Sequence, residues 1–169
     1  ESISEFLYPD DSAYEGKLLR LKQQYFLCSA GVQSILRTFD KLGLMYRELP
    51  EYVAIHINDT HPTLVIPELM RILVDDKGLG WDEAWDITSR TVSYTNHTLL
   101  SEALEKWPAG MVRELLPRVY MIIEEINKRF CSMLLDRYPG DQERISQLAI
   151  VESDQIRMAN LAIVGSYHV

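Results

Sequence analysis

The stretch from Tyr52 to Pro62, Tyr-Val-Ala-Ile-His-Ile-Asn-Asp-Thr-His-Pro, constrains the fold more than any other part of the chain. Residues 52–57 are aromatic, apolar or β-branched apart from one histidine, and this composition predicts a strand at Tyr52–Ile57. The polarity changes abruptly at Asn58, and Pro62 can occupy the first position of a helix. Open α/β sheets bind ligands where a buried strand ends beside a helix N-terminus. We therefore expect a polar site just beyond this strand.

A second, weaker strand candidate, Thr91–Thr95, also ends in a polar cluster, at residues 96–98. If both strands belong to one parallel sheet, their carboxyl ends lie at the same edge and the two clusters converge on one cleft. Two strands cannot form a stable sheet alone, because their outer backbone groups would stay unpaired. The missing strands are therefore expected either from the rest of a larger α/β protein or to be replaced by helices packed around a small sheet.

Most of the remaining sequence has the three- and four-residue apolar spacing of helices. The longest apolar stripe runs from Leu18 to Leu42, and it follows a turn in which Ser12 and Glu15 have the spacing of a capping box. Gly43 is expected to end this helix. Other predicted helices include 64–74, 111–116, 119–135, 142–149 and 153–164. The predicted fold class is mostly α with one or two short strands.

The overall charge argues against some classes of partner. The formal net charge is −8 and the pI is about 5.0, which argues against nucleic acid or an anionic membrane surface as a partner. No apolar run approaches the length that spans a bilayer. Cys28 and Cys131 both lie within helical patterns and are interpreted as free thiols rather than a disulfide. A reducing, cytoplasmic location is expected.

Several polar residues could form a site, but spacing alone leaves structural alternatives open. Asp59 or Thr60 could cap the next helix, and His61 could make one structural hydrogen bond. No third ligand at a recognised spacing supports a metal site. Residues 97 and 105, a histidine and a glutamate, could simply be solvated, and the acidic turn at 10–11 is favourable before any helix N-terminus.

The sequence resembles the α-glucan phosphorylases over essentially its whole length. The resemblance is carried by six ordered motifs, which are Leu-Tyr-Pro-Asp-Asp at 7–11, Glu-Gly-Lys-Leu-Leu-Arg-Leu-Lys-Gln at 15–23, Asn-Asp-Thr-His-Pro at 58–62, Ile-Pro-Glu-Leu-Met-Arg at 66–71, Tyr-Thr-Asn-His-Thr at 94–98 and Glu-Ala-Leu-Glu-Lys-Trp-Pro at 102–108. It implies a fragment of an enzyme with the GT-B glycosyltransferase fold, which has two Rossmann-like domains. Residues 1–169 would be a single, incomplete segment of its N-terminal catalytic domain.

The same resemblance implies the chemistry. Such enzymes use phosphate to release glucose 1-phosphate from the end of an α-1,4-glucan, and they hold pyridoxal 5'-phosphate on a lysine in the C-terminal domain. The attachment lysine would lie outside this chain, so the isolated 169 residues are expected to be inactive. The parent enzyme is expected to be a homodimer, and the fragment could self-associate through an exposed strand edge.

Site roles follow from the resemblance residue by residue. His97 corresponds to a catalytic residue, whose backbone carbonyl faces the transferred glucose and whose ring reaches its 6-hydroxyl. A fixed carbonyl dipole suits a transition state with developing positive charge. Asp59, His61 and Glu105 correspond to a polar pocket around the same glucose, and Asp11 corresponds to an acidic residue on the loop that gates substrate access.

Two other readings stay open at this point. A helical carbohydrate-binding or interaction module could share this sequence without catalysis, and weak glucose binding that depends on His97 and Glu105 would favour it. A sugar-nucleotide glycosyltransferase of similar architecture is the third reading, which the motifs at 58–62 and 94–98 disfavour.

Overall fold

The computed structural model describes residue 3 and residues 10–98 and 100–169, and this part of the chain is mostly helical. The helices are α1 (Tyr14–Asp40), α2 (Leu49–Tyr52), α3 (Val65–Arg71), α4 (Trp81–Thr91), α5 (Ala109–Leu115), α6 (Pro117–Arg137), α7 (Gln142–Leu148) and α8 (Met158–Val164). The strands are β1 (Ile55–Asn58), β2 (Val92–Thr95), β3 (Lys106–Pro108), β4 (Val151–Glu152) and β5 (Gln155–Arg157). Short 3₁₀ turns occupy Tyr46–Glu48 and Ser101–Ala103, and a π-helical turn, Ile72–Asp76, extends α3.

Strands β1 and β2 pair in parallel, with Ile55 opposite Val92 and Asn58 opposite Thr95. Both sequence-predicted strands therefore exist, but the prediction of Tyr52–Ile57 for the first was wrong in its bounds. Tyr52 is the last residue of α2. Pro50 lies in the first turn of this helix, where proline favours helix initiation, and Leu49 is buried in the core. The first residue of the expected strand is thus helical, residues 53–54 connect α2 to β1, and the strand ends at Asn58 instead of Ile57.

The start of α1 also differs from the expectation. The capping box predicted from Ser12 and Glu15 is wrong, because the N-cap is Ala13 and no side chain caps the helix. The backbone N–H of Ser12 instead donates to Asp10 Oδ1 at 3.0 Å within the preceding turn. At the other end the prediction is confirmed, since Gly43 adopts the left-handed conformation, with φ of 67°, just after the helix.

A second sheet, which the sequence did not reveal, joins β3, β5 and β4 in an antiparallel arrangement. The helix predicted over 153–164 is wrong in its first part, because Ser153 and Asp154 form a tight turn with φ of 50° and 58° and α8 begins only at Met158. Two consecutive positive φ values are typical of a two-residue hairpin. The turn is held to α5, since the N–H of Ala109 donates to the carbonyl of Asp154 at 2.8 Å.

Helix α3 is the centre of the core and packs against α1, α4 and α6. Its residues Ile66, Leu69 and Met70 are fully buried. Glu68 is also fully buried, where it accepts hydrogen bonds from Ser29 of α1 and from the guanidinium of Arg71. A buried carboxylate is tolerated only with such partners. The α1–α3 interface is therefore fixed by a polar contact as well as by apolar packing.

Candidate functional site

The parallel pairing of β1 and β2 brings two polar segments to one edge of the sheet. Asn58, the last residue of β1, lies opposite Thr95, the last residue of β2. His97 follows Thr95 closely, and its Nε2 lies 2.5 Å from Oδ1 of Asn58. An amide oxygen only accepts, so Nε2 carries the proton in this hydrogen bond. The predicted convergence of the two strand ends is confirmed.

Asp59 continues this edge in an unusual backbone conformation. It has φ of 67°, its N–H donates to the carbonyl of Thr95 at 2.9 Å, and its Oδ1 accepts from the N–H of Thr60 at 2.7 Å. The alternative in which Asp59 or Thr60 caps the next helix is wrong, because the N-cap of α3 is Leu64, without a side-chain cap. Asp59 is half-buried, and its Oδ1 is the oxygen that this local contact uses.

The neighbours of Asp59 complete this end of the sheet. His61 is exposed and follows the buried Thr60. Tyr94 is 2% exposed, and among the described residues its hydroxyl has no hydrogen-bond partner. Burial raises the pKa of the Tyr94 hydroxyl, and the negative charge of Asp59 raises it further. The Tyr94 hydroxyl therefore stays neutral.

A second polar group forms around Arg20 of α1. Its Nη1 lies 2.6 Å from Oδ2 of Asp11, and its Nη2 lies 2.7 Å from Oε2 of Glu105. One guanidinium therefore connects the acidic turn before α1 with a residue 85 positions further along the chain. The side chain of Glu105 is only 11% exposed, whereas that of Asp11 is 47% exposed, so the pairing matters more for Glu105.

The two oxygens of Glu105 have different surroundings. Oε2 accepts from Arg20 and also from Nε2 of Gln24 at 3.2 Å. Oε1 is buried and, among the described residues, has no hydrogen-bond partner. Glu105 borders a cavity of about 200 Å³ whose lining includes three carboxylates, three basic side chains and Trp107. The indole Nε1 of Trp107 is likewise buried without a partner in the described part of the chain.

The residues predicted as a site thus fall into two groups. His97, Asp59 and His61 lie at the carboxyl end of β1 and β2, and Asp11 and Glu105 lie on either side of Arg20. Among the described residues, no hydrogen bond or ion pair joins one group to the other. Residues that sequence reasoning missed are Asn58, Arg20 and Gln24. Of these three, only Arg20 and Gln24 have a signal in the sequence, because they are four residues apart and so lie on one face of α1.

Neither a cluster of metal-ligating side chains nor a buried lysine occurs in the part of the chain that the structure describes. No group of three His, Cys, Asp or Glu side chains in this part of the chain could hold a metal ion. No lysine in the chain is buried, although a lysine that carries a Schiff base is activated in a desolvated pocket. No helix in the described ranges is long and apolar enough to span a bilayer.

Comparison with known proteins places this geometry in a family. The family model described as carbohydrate phosphorylase matches residues 1–169. The chain is 59% identical over 169 residues to "Glycogen phosphorylase" of Bacillus subtilis (strain 168), and this match covers 100% of the chain and 21% of the relative. "Alpha-glucan phosphorylase 2, cytosolic" of Arabidopsis thaliana is 52% identical and "Glycogen phosphorylase, muscle form" of Homo sapiens 49% identical, each over 100% of the chain and 21% of the relative.

The chain therefore spans about a fifth of the length of the curated relatives it matches. The resemblance drawn from the sequence motifs is confirmed at the level of the family, because the match extends over every residue of the chain. This chain belongs to the carbohydrate phosphorylase family.

Proposed function

We propose that this chain is part of an α-glucan phosphorylase, which cleaves terminal α-1,4-glucosidic bonds with inorganic phosphate and releases glucose 1-phosphate. Support comes from the relatives, which are named as glycogen and alpha-glucan phosphorylases. The structural observation that carries the proposal is the parallel pairing of β1 and β2, because it gathers His97, Asn58 and Asp59 at one sheet edge. Glucan and phosphate are the proposed substrates.

Each predicted residue has a role that its surroundings support. The hydrogen bond to Asn58 orients the ring of His97, so that the neighbouring backbone carbonyl and the ring can face one sugar. A carbonyl dipole fixed near the anomeric carbon stabilises positive charge that develops there. Asp59, His61 and Glu105 would position sugar hydroxyls, and Asp11 would contribute from the turn at the entrance. These are positioning groups, and none of them is proposed as a nucleophile.

We further propose that residues 1–169 form one incomplete segment of the N-terminal catalytic domain in a GT-B enzyme. Pyridoxal 5'-phosphate, when bound, supplies a phosphate group for acid–base chemistry toward the substrate phosphate. The lysines of this chain do not fit the attachment of that cofactor, because all of them are exposed or half-exposed. The cofactor would therefore be held by other residues, and the 169-residue chain alone would be inactive. A homodimer in the cytoplasm is proposed for the whole enzyme, in keeping with the relative named as cytosolic.

The test compares the full-length enzyme with the isolated chain. Phosphate release is measured from glucose 1-phosphate in the presence of a maltooligosaccharide primer. The full-length enzyme should release phosphate and the isolated chain should not. Release by the isolated chain would refute its inactivity, and no release by the cofactor-loaded full-length enzyme would refute the proposed function.

A second comparison tests the site itself. In the full-length enzyme, His97→Ala should lower kcat/KM by about a hundredfold, because loss of positioning at the reacting sugar costs about that much. His56→Ala is the matched control, because His56 is an exposed histidine of β1 whose Nε2 lies 2.8 Å from Oγ1 of Thr95. It should change kcat/KM by less than about twofold, the scale of a typical surface substitution. Equal losses in both variants would contradict the assignment of His97.

A further inference from the structure

We propose that Arg20 is a positioning residue that holds Glu105 and the acidic turn at residues 10–12 in one fixed arrangement, and that Gly16 permits the turn to approach. The inference rests on the proposed function for the roles of Glu105 and Asp11. Its geometric part stands independently, because it concerns which side chains hold the turn and the carboxylate in place.

The two oxygens of Glu105 have unequal hydrogen bonding. Arg20 and Gln24 are four residues apart on α1, and both donate to Oε2, at 2.7 and 3.2 Å. Two donors on a single oxygen fix the carboxylate plane and leave Oε1 unpaired on the other side. A buried acceptor without a partner costs free energy, and in a native structure such an atom calls for an explanation. Here it remains available for a hydroxyl donor in the cavity of about 200 Å³.

The planar guanidinium of Arg20 contacts two carboxylates at once. Separate guanidinium nitrogens contact Asp11 and Glu105, so the two carboxylates lie on the same planar group. A lysine ammonium is a point charge and cannot keep both carboxylates in that geometry. Lys17 and Lys106 also line the cavity, but neither forms an ion pair with Asp11 or Glu105. Arg20 is therefore the group that connects the turn with Glu105.

The acidic turn approaches α1 closely at Gly16. A Cβ atom at position 16 would collide with the carbonyl oxygen of Asp10, so only glycine allows this contact. The obstacle is backbone rather than the end of a flexible side chain, and the turn itself would have to move. Gly16 lies four residues before Arg20 on the same face of α1. A side chain at 16 should therefore push the turn outward, so that Asp11 moves away from Arg20 while Glu105 stays paired with Arg20.

Two variants of the full-length enzyme test the turn. Gly16→Ala should raise the amide hydrogen-exchange rate at residues 10–12 by about fivefold, the upper limit expected from loss of a partly exposed ion pair. Gly31→Ala is the matched control, because Gly31 is in the same helix and has open space around its Cβ position. It should leave exchange at 10–12 unchanged. Equal exchange in Gly16→Ala and Gly31→Ala would overturn the role of Gly16.

Substitution of Arg20 tests the link to Glu105. Arg20→Gln should lower kcat/KM for the glucan by about a hundredfold and Arg20→Lys by about tenfold, mainly through kcat, because the positioned oxygen acts in the transition state. Both variants should also speed exchange at residues 10–12. If Arg20→Lys matches the unmodified enzyme in kcat/KM and in exchange, the proposal is wrong.

The exchange measurement separates this proposal from the proposed function. If the unmodified full-length enzyme does not phosphorolyse glucan, the proposed function fails, yet exchange at 10–12 still reports on Arg20 and Gly16. If the enzyme is active and neither exchange nor kcat/KM responds to Arg20→Lys and Gly16→Ala, only the positioning role fails. Melting temperatures of all variants should stay within a few degrees of one another, as expected for small changes near the surface.

Discussion

Asp59 carries backbone strain at the end of β1. Its φ of 67° is in the left-handed region, which aspartate and asparagine tolerate better than other side chains because they bond locally to the backbone. The bond from Oδ1 to the N–H of Thr60 is such a contact. Strained residues persist where the surrounding structure determines their conformation, and here both β1 and the buried Thr60 do so. Substitutions can therefore test the charge of Asp59 and its backbone conformation independently.

Substitutions at Asp59 should separate them. Asp59→Asn keeps the local bond and should change the free energy of unfolding by less than about 0.5 kcal/mol. Asp59→Ala loses the bond and keeps the strain, so it should cost about 1–2 kcal/mol. Asp59→Gly removes the steric penalty and should be more stable than Asp59→Ala. Chemical denaturation measures all three, and equal stability of the Ala and Gly variants would contradict the strain.

The two thiols should differ in reactivity. Both cysteines are free, as the sequence predicted, and Cys28 is buried whereas Cys131 is half-buried. Burial raises the pKa of Cys28 from 9.0 to about 12, and burial also raises that of Cys131. Because the thiolate is the nucleophile, iodoacetamide at pH 8 should label Cys131 well before Cys28. Peptide mass spectrometry after timed labelling checks the order, and faster labelling of Cys28 would contradict it.

The raised pKa of Cys28 also gives a pH dependence of stability with a definite sign. The folded state keeps the thiol neutral, whereas the unfolded chain ionises it above pH 9. The contribution of the Cys28 thiol to the free energy of unfolding is therefore complete below pH 9, and it is lost progressively as the pH rises toward about 12. Cys28→Ala should remove this part of the slope, whatever its cost at neutral pH. An unchanged slope in urea titrations between pH 8 and 10.5 would contradict the effect.

At the scale of elements, one asparagine joins α6 to the small antiparallel sheet. Oδ1 of Asn127 accepts from the N–H groups of Ile150 and Val151, at 2.9 and 3.2 Å. Ile150 is fully buried, so its N–H would have no alternative partner in water. Asn127 therefore has a structural role at the point where the chain leaves α7 and enters β4.

Substitution at Asn127 should destabilise in a specific order. Asn127→Ala leaves two N–H groups without acceptors and should cost about 1–3 kcal/mol in the free energy of unfolding. Asn127→Asp retains the acceptor oxygens and should cost less than the alanine variant. The matched control, Asn160→Ala, removes donors to carbonyls near the end of α7 rather than an acceptor. Denaturant titration ranks the variants, and an aspartate variant less stable than the alanine variant would contradict this role.

How well an element could be predicted depended on its length. Helices α1 and α6 were found because their apolar residues repeat over many turns, and β1 and β2 because each ends at an abrupt change of polarity. Strands β3, β4 and β5 have only two or three residues each, too few for any period to appear. Their turn uses Ser153 and Asp154 instead of the Asn-Gly pair that signals a hairpin.

The site was predictable to a similar degree. Asp59 and His97 follow strand ends, so their convergence at one edge could be inferred from the sequence. The contact of Arg20 with Glu105 joins residues 85 positions apart, and no local pattern signals it. The roles of Asp11, His61 and Glu105 came from the resemblance to the family, and these roles remain proposals.

At the scale of the whole molecule, the parallel sheet ends at β1. On the other side of β2, residue Ser93 forms a parallel bridge with His168, so β2 has neighbours on both sides. In the described part of the chain β1 pairs only with β2. An open edge presents backbone groups that can pair with another chain. We expect the full-length enzyme to cover this edge and the isolated chain to leave it available.

Self-association of the isolated chain should therefore depend on the edge of β1. Its sedimentation mass should rise with concentration, and Ala54→Lys, an exposed position just before β1, should restore the monomer because charge opposes edge pairing. Ser132→Lys adds the same charge at an exposed position on α6 and should leave association unchanged. A chain that stays strictly monomeric at every concentration would rule out association through this edge.

The spacing of Gly16, Arg20 and Gln24 on α1 has a consequence for sequence length. The three residues share one face only because four residues make about one helical turn, and a single inserted residue would rotate those beyond it by about 100°. The contact with Asp10 and the two bonds to Glu105 could not then form together. Apart from Gly16, Arg20, Gln24 and the buried Leu21, positions between 16 and 24 should thus tolerate substitution in natural variants but no insertion or deletion, whereas the connection after Gly43 can change in length.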